Sequence, residues 1–150
     1  MATNISSSKP STASEPRYRY CGLDDLDWLV ASACLAYHGR MKDVSATRLW
    51  IAARLVDENT CFVRSAGSVV VVNVQRRFYA PEDVRAKVLF FWSLRPSLAN
   101  LLQAFRGAEA WAMHRGARAL LFDESEGRDM APLAKRLGAV LQYSVYAVEL

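Results

Sequence analysis

The 150-residue chain lacks a long hydrophobic run, has two histidines, and carries no glycine between Gly67 and Gly107. A membrane-spanning helix needs about 18 or more consecutive apolar residues. The candidate stretches, Val69–Val74 (interrupted by Asn73) and Val88–Trp92, are strand-sized, so no spanning helix and no membrane role are expected. His38 and His114 show no His-x-x-x-His spacing, and Cys21, Cys34 and Cys61 form no Cys-x-x-Cys pair. The usual zinc-ligand patterns are thereby excluded and no metal is expected. The cysteines sit in apolar contexts and read as buried, reduced thiols. The histidines read as helix-end residues. Ser93 and Ser97 lack a Gly-x-Ser-x-Gly elbow. The carboxylates of Asp123–Asp129 lack a calcium-loop pattern and read as a solvated turn. Residues Met1–Pro16 have no apolar segment of the secretory type. Rich in Ser, Thr and Pro, they read as a flexible tail before a single domain over residues 17–150.

What is present is ordinary for a globular protein: 52% hydrophobic residues, 23% charged, and a net charge of +4. That charge suits a phosphate-bearing partner but does not require one. Arg17–Gly22 alternates as a first strand. Asp24 or Asp25 can cap a helix whose face is Leu26, Leu29, Val30, Ala33 and Tyr37, with Gly39 as its stop. Asp43 or Ser45 can cap a second helix, with Leu49, Ala52 and Val56 as its buried stripe. Thr60–Ser65 and Ser68–Gln75 read as a hairpin with Gly67 in the turn. Arg76–Ala86 reads as a polar connection. Lys87–Leu94 reads as a central strand buried on both faces.

Leu98, Leu101, Leu102, Phe105, Ala108 and Ala112 then recur at helical spacing. Ser97 is a plausible cap and Gly116 a plausible left-handed stop. Ala119–Phe122 reads as a strand, Met130–Leu137 as a helix ended by Gly138, and Leu141–Leu150 as a closing strand. The order is β-α-α-β-β-β-α-β-α-β, an α+β or mixed α/β fold with a mixed central sheet.

From Tyr18 to Leu150 this order resembles the Gcn5-related N-acetyltransferase superfamily (GNAT). "VLFFWSLRP" is similar to the family's fourth strand. "LLQAFRGAEAWAMHRGARALLF" resembles the helix and strand that follow it. "APLAKRLGAVLQYSVYAVEL" resembles the closing helix, turn and strand. The resemblance implies acetyl-coenzyme A as cosubstrate, held where strands four and five splay apart. It assigns Trp92, Ser93, Leu94, Arg95, Ser97, Leu98, Ala99 and Asn100 to the cofactor. Its pyrophosphate loop has the form Gln/Arg-x-x-Gly-x-Gly/Ala, in which backbone N–H groups at a helix start meet phosphate.

Here that loop departs from the pattern. Aligned through Glu109 and Trp111, the signature positions fall on Pro96, Ala99 and Leu101. Aligned on Pro96, they fall on Ala99, Leu102 and Ala104. The tyrosine that many members carry on the last helix is replaced by Ala134, and no asparagine follows Asn100. Glu124, Tyr79 and Tyr143 are the candidates left for proton transfer. Their plainer roles are a loop carboxylate and two amphipathic aromatics.

The expected function is an acyl-coenzyme A-dependent N-acyltransferase acting on an amine-bearing small molecule or protein. The alternative is an inactive GNAT-fold structural module, such as a bacteriophage virion component, with a protein partner or a second copy of itself. The corresponding locations are the cytoplasm or the virion. Arg76, Arg77, Arg85 and Lys87, with Phe78 and Tyr79 among them, could form a nucleic-acid surface. An exposed connection beside a sheet is the preferred reading, and nucleic acid is not an expected partner.

Overall fold

The structure is a computed structural model that describes residues 17–123, 129–141 and 148–149. Its elements are β1 (Arg19–Tyr20), a single 3₁₀ turn (Leu23–Asp25), α1 (Leu26–Ala36), α2 (Val44–Leu55), β2 (Thr60–Ser65), β3 (Ser68–Arg77), β4 (Ala80–Ser93), α3 (Leu98–His114), β5 (Leu120–Leu121) and α4 (Ala131–Leu137). The sheet order is β1-β2-β3-β4-β5. Neighbours from β1 to β4 are antiparallel, and β4 pairs with β5 in parallel. This is a mixed sheet in an α+β fold. The expected closing strand lies largely outside the described residues. No described helix is long and apolar enough to cross a membrane.

Helices cover both faces. On one, Leu29, Val30, Ala33 and Ile51 of α1 and α2 pack on Phe62, Val69, Val71 and Trp92. On the other, Ala104, Phe105, Ala108 and Ala112 of α3 and Leu133 of α4 pack on Val63, Val70, Val72, Ala86, Val88 and Phe91. Successive strand residues point to opposite faces. The run Val69–Val72 is therefore divided between the two cores and fully buried, which is why it is apolar throughout.

Local chemistry sets the helix starts. The Asp43 carboxylate accepts the Ala46 N–H at 2.9 Å, and the Ser97 hydroxyl accepts the Asn100 N–H at 3.2 Å. Gly107 sits mid-helix in α3 because of packing. A Cβ there would lie 2.5 Å from Val63 Cγ1 and 2.6 Å from Tyr18 Cδ2. Tyr20 donates its hydroxyl to the Gly107 carbonyl at 3.1 Å. The missing side chain lets α3 rest directly on β1 and β2.

Several expectations are corrected. The residues expected as a polar connection, Arg76–Ala86, instead extend the β3–β4 ladder, with Phe78 and Tyr79 at the turn. Arg77 and Arg85 there pair with Asp83, at 3.2 and 3.3 Å. An antiparallel ladder beyond the helices needs no apolar side chains, so this strand pair does not look like one in sequence. Helix α2 is rotated from the expected stripe: Leu49 and Val56 are exposed, and Ile51 is buried. In the β2–β3 turn the positive φ belongs to Ala66 (49°), not Gly67. Gly67 instead lets Leu94 approach, since a Cβ would lie 3.3 Å from Leu94 Cβ. The first strand shortens to Arg19–Tyr20, because the Gly22 N–H turns to the Asp25 carboxylate at 2.9 Å.

Candidate functional site

Among the described residues strand β4 has neighbours on both sides only near its middle. Strand β5 meets it at Ala86 and Lys87 only. Nearby bonds run from Ala86 N–H to the Ala119 carbonyl (2.9 Å) and from Arg118 N–H to the Val84 carbonyl (3.0 Å). Past Lys87, no described residue of β5 pairs with Val88–Ser93. Among the described residues the parallel pairing stops there, and the space beside β4 beyond Lys87 is the candidate cleft.

A β-bulge lies at the mouth of that cleft. Val71 faces Phe90 and Val72 faces Val88, which leaves Leu89 without an opposite residue. The bulge changes the alternation of side chains. Leu89 and Phe90 both point to the α1/α2 face, where Phe90 meets Trp50 edge-to-face, with ring centroids 5.3 Å apart. Phe91 points the other way and packs on Phe105 at 5.8 Å. Trp92 returns to the α1 face and donates its indole N–H to Ser32 at 3.0 Å. Tyr37, just past α1, packs on Trp92 and donates its hydroxyl to the Phe91 carbonyl at 3.0 Å.

The strand-to-helix junction follows. Ser93 and Ser68 share a 2.8 Å hydroxyl hydrogen bond, and the Leu94 N–H donates to the Gly67 carbonyl at 3.0 Å. These contacts fix the end of β4. Arg95 and Pro96 are exposed, and α3 begins at the open end of the cleft. Four N–H groups at a helix start have no acceptor within the helix. The Asn100 N–H goes to the Ser97 hydroxyl and the Leu101 N–H to the Ser97 carbonyl. Those of Leu98 and Ala99 have no acceptor among the described residues and lie at the positive end of a 17-residue helix.

This geometry can take an extended amide-bearing chain along β4 and a phosphate at α3, with Arg95 beside it. Pro96 contributes no N–H, and no glycine lines the junction. A coenzyme would thus be held by the strand edge, two helix N–H groups and one guanidinium. Of the residues assigned to the cofactor, Trp92, Ser93 and Ser97 use their side chains for internal bonds. Only their backbones are offered. Leu94 packs on Gly67, while Leu98, Ala99 and Asn100 form the first turn of α3.

The proton-transfer candidates are not brought together among the described residues. Tyr79 stands at the β3–β4 turn, where it accepts a 2.8 Å bond from Arg77. Counting along β4 at about 3.3 Å per residue, it is roughly 30 Å from the bulge. Glu124 and Tyr143 lie outside the described residues. Tyr37, Trp50 and Phe90, which do gather at the cleft mouth, are not singled out by their sequence context. Tyr37 reads there as one more residue of a buried helix face.

Two shallow, open depressions lie elsewhere. One of about 290 Å³ is lined by Asn59, Val74, Arg76 and Arg115, and one of about 390 Å³ by Arg17, Tyr18, Arg19, Arg64 and Ala66. Neither includes a residue of the splayed segment. The cysteines are structural: burial pushes the Cys61 thiol up to about 12 and the Cys21 thiol up to about 11. Neither supplies a thiolate near neutral pH.

No protein-family model matches the chain, and no curated protein matches it by sequence. Solved structures do match it by fold. A ribosomal-protein-alanine N-acetyltransferase from Brucella melitensis biovar Abortus 2308 superposes with a TM-score of 0.69 at 11% identity, over 89% of this chain and 99% of its own. The aminoglycoside 6'-N-acetyltransferase AAC(6')-IG from Acinetobacter haemolyticus gives 0.70 at 9% identity, over 89% and 97%. AAC(6')-Iy, solved with a bisubstrate analogue that joins coenzyme A to monomethyl-acetylneamine, gives 0.72 at 11% identity, over 89% and 96%. The chain has the fold of the GNAT acetyltransferases, and its structural neighbours are acetyltransferases.

Proposed function

We propose that the chain is a divergent coenzyme A-dependent N-acyltransferase that moves an acetyl group to an amine. The observation that carries this is the splay. Among the described residues β5 pairs with β4 only at Ala86 and Lys87, a bulge follows in β4, and α3 starts just past that end of the strand. In the reaction the amine nitrogen attacks the thioester carbonyl. The C–N bond forms, the C–S bond breaks, the amine loses a proton and the thiolate gains one.

The strand edge would orient the thioester, and Arg95 with the Leu98 and Ala99 N–H groups would hold phosphate. Tyr37 positions the β4 edge through its bond to the Phe91 carbonyl. Glu124 and Tyr143 are proposed for the two proton transfers, and Tyr79 is set aside because of its distance. The neighbours' acceptors support an amine-bearing acceptor here.

Titration with acetyl-coenzyme A in a thermal-shift or calorimetric experiment tests the reading. Binding raises Tm by mass action, and Arg95→Ala weakens it about ten-fold through loss of a charge-assisted contact. No shift at millimolar ligand would sink the proposal in favour of a fold kept without its chemistry.

A further inference from the structure

Which amine the cleft would accept is written in the α1/α2 face. We infer that the acceptor is an arylalkylamine, an amine on an aromatic body, and not a polycationic amino sugar. This rests on the proposed function and names its substrate class. Phe90 lies at the bulge, three residues beyond the last β5 contact, and is 50% exposed. Trp50 stands perpendicular to it and is itself braced edge-to-face on Phe62, with centroids 6.4 Å apart. The Arg54 guanidinium covers Trp50 at 5.4 Å from the ring centroid. Phe90 and Trp50 thus form an aromatic wall held from behind by Phe62, while Trp92 is buried beneath the same face with Tyr37 against it.

A wall of this kind selects by stacking and apolar contact. An aromatic ring laid against Phe90 gains offset or edge-to-face geometry and removes exposed apolar surface from water. One ammonium tethered to that ring is compatible with aromatic faces. A polycation needs carboxylates that are free to pair with it. Helices α1 and α2 and the loop between them contain two, Asp27 and Asp43. Asp27 pairs with Arg48 at 2.6 Å, and Asp43 caps α2. The cation that does stand at the wall, Arg54 over Trp50, opposes the several ammonium groups of a polycation more than the single one of an arylalkylamine.

The test uses the full chain, phenethylamine as the aromatic amine and neamine as the amino sugar. Calorimetry measures amine binding without coenzyme, and thiol release from acetyl-coenzyme A measures turnover. Phenethylamine is expected to bind and turn over at least ten-fold better than neamine. Phe90→Ala is expected to lower its affinity and kcat/KM about ten-fold, and Phe90→Leu to recover part of the loss. Circular dichroism confirms that each variant is folded. Preference for neamine, or an unchanged response in Phe90→Ala, overturns the inference while leaving acyl transfer intact. A dimer that Phe90→Ala converts to monomer, with amine binding unaltered, also overturns it and gives the patch to a second copy. Failure to bind acetyl-coenzyme A overturns the proposed function instead, and amine calorimetry still decides whether the wall selects aromatic amines.

Discussion

The two ends of β4 are one continuous strand with different surroundings. From Ala80 to Lys87 it has β3 on one side and, at its last two residues, β5 on the other. Half of its side chains there are polar, with Asp83 bridging Arg77 and Arg85, while Val84 and Ala86 are buried. From Val88 to Ser93 it keeps β3, loses β5, contains a bulge and is nearly all apolar or aromatic. The first end is a finished ladder that faces water. The second is an unfinished one, sheltered between α1 and α3. An uncovered edge invites another chain to pair with it. Enclosed between helices, that same property becomes a place for a narrow extended ligand.

Mutations can separate what holds the cleft from what faces it. Phe105 is fully buried behind Phe91, and Phe105→Ala should cost about 3–5 kcal/mol in urea unfolding. Phe90→Ala should cost less than about 1 kcal/mol, since half of its ring is already in water. Equal losses would mean that the open end is packed like the rest of the core. Gly107→Ala should cost about 1–3 kcal/mol, because the new methyl meets Val63 and Tyr18 and pushes α3 off the sheet. A coenzyme that binds the start of α3 should then bind less tightly.

The smallest effect is electrostatic and far from the cleft. The Arg19 guanidinium and the Gly22 N–H hold the Asp25 carboxyl below its usual range. Its ionised form is favoured in the folded chain. The resulting stability is present above the ordinary carboxylate pKa and is lost as pH falls through the lowered folded value. Urea midpoints followed downward from about pH 6 should fall less steeply in Asp25→Asn than in the parent chain.

The parts legible in sequence were those set by local chemistry. Ser97 starts α3 and Gly116, at φ +81°, follows its end, as cap and stop signals imply. Gly138, at φ +67°, ends α4 in the same way. The runs Thr60–Ser65 and Ser68–Gln75 declared a hairpin, and they pair antiparallel. The face of α2 was not legible, because Leu49, Trp50, Ile51, Leu55 and Val56 offer more than one apolar stripe and only the sheet decides among them. The bulge was hidden for a related reason. It is a mismatch between two strands, and neither Val71–Val72 nor Val88–Phe90 records it alone. Of the site, the strand–helix junction was legible from its resemblance to a known pattern. The aromatic wall was not, since it joins residues from α2 and β4 that are distant in the chain.

Hydrogen exchange of the β4 amides, with and without acetyl-coenzyme A, tests the central claim most directly. The account predicts added protection within Val88–Ser93 and at Leu98 and Ala99, with no change over Ala80–Lys87. Unchanged exchange at the splayed end under saturating ligand, or protection confined to the paired end, would contradict it.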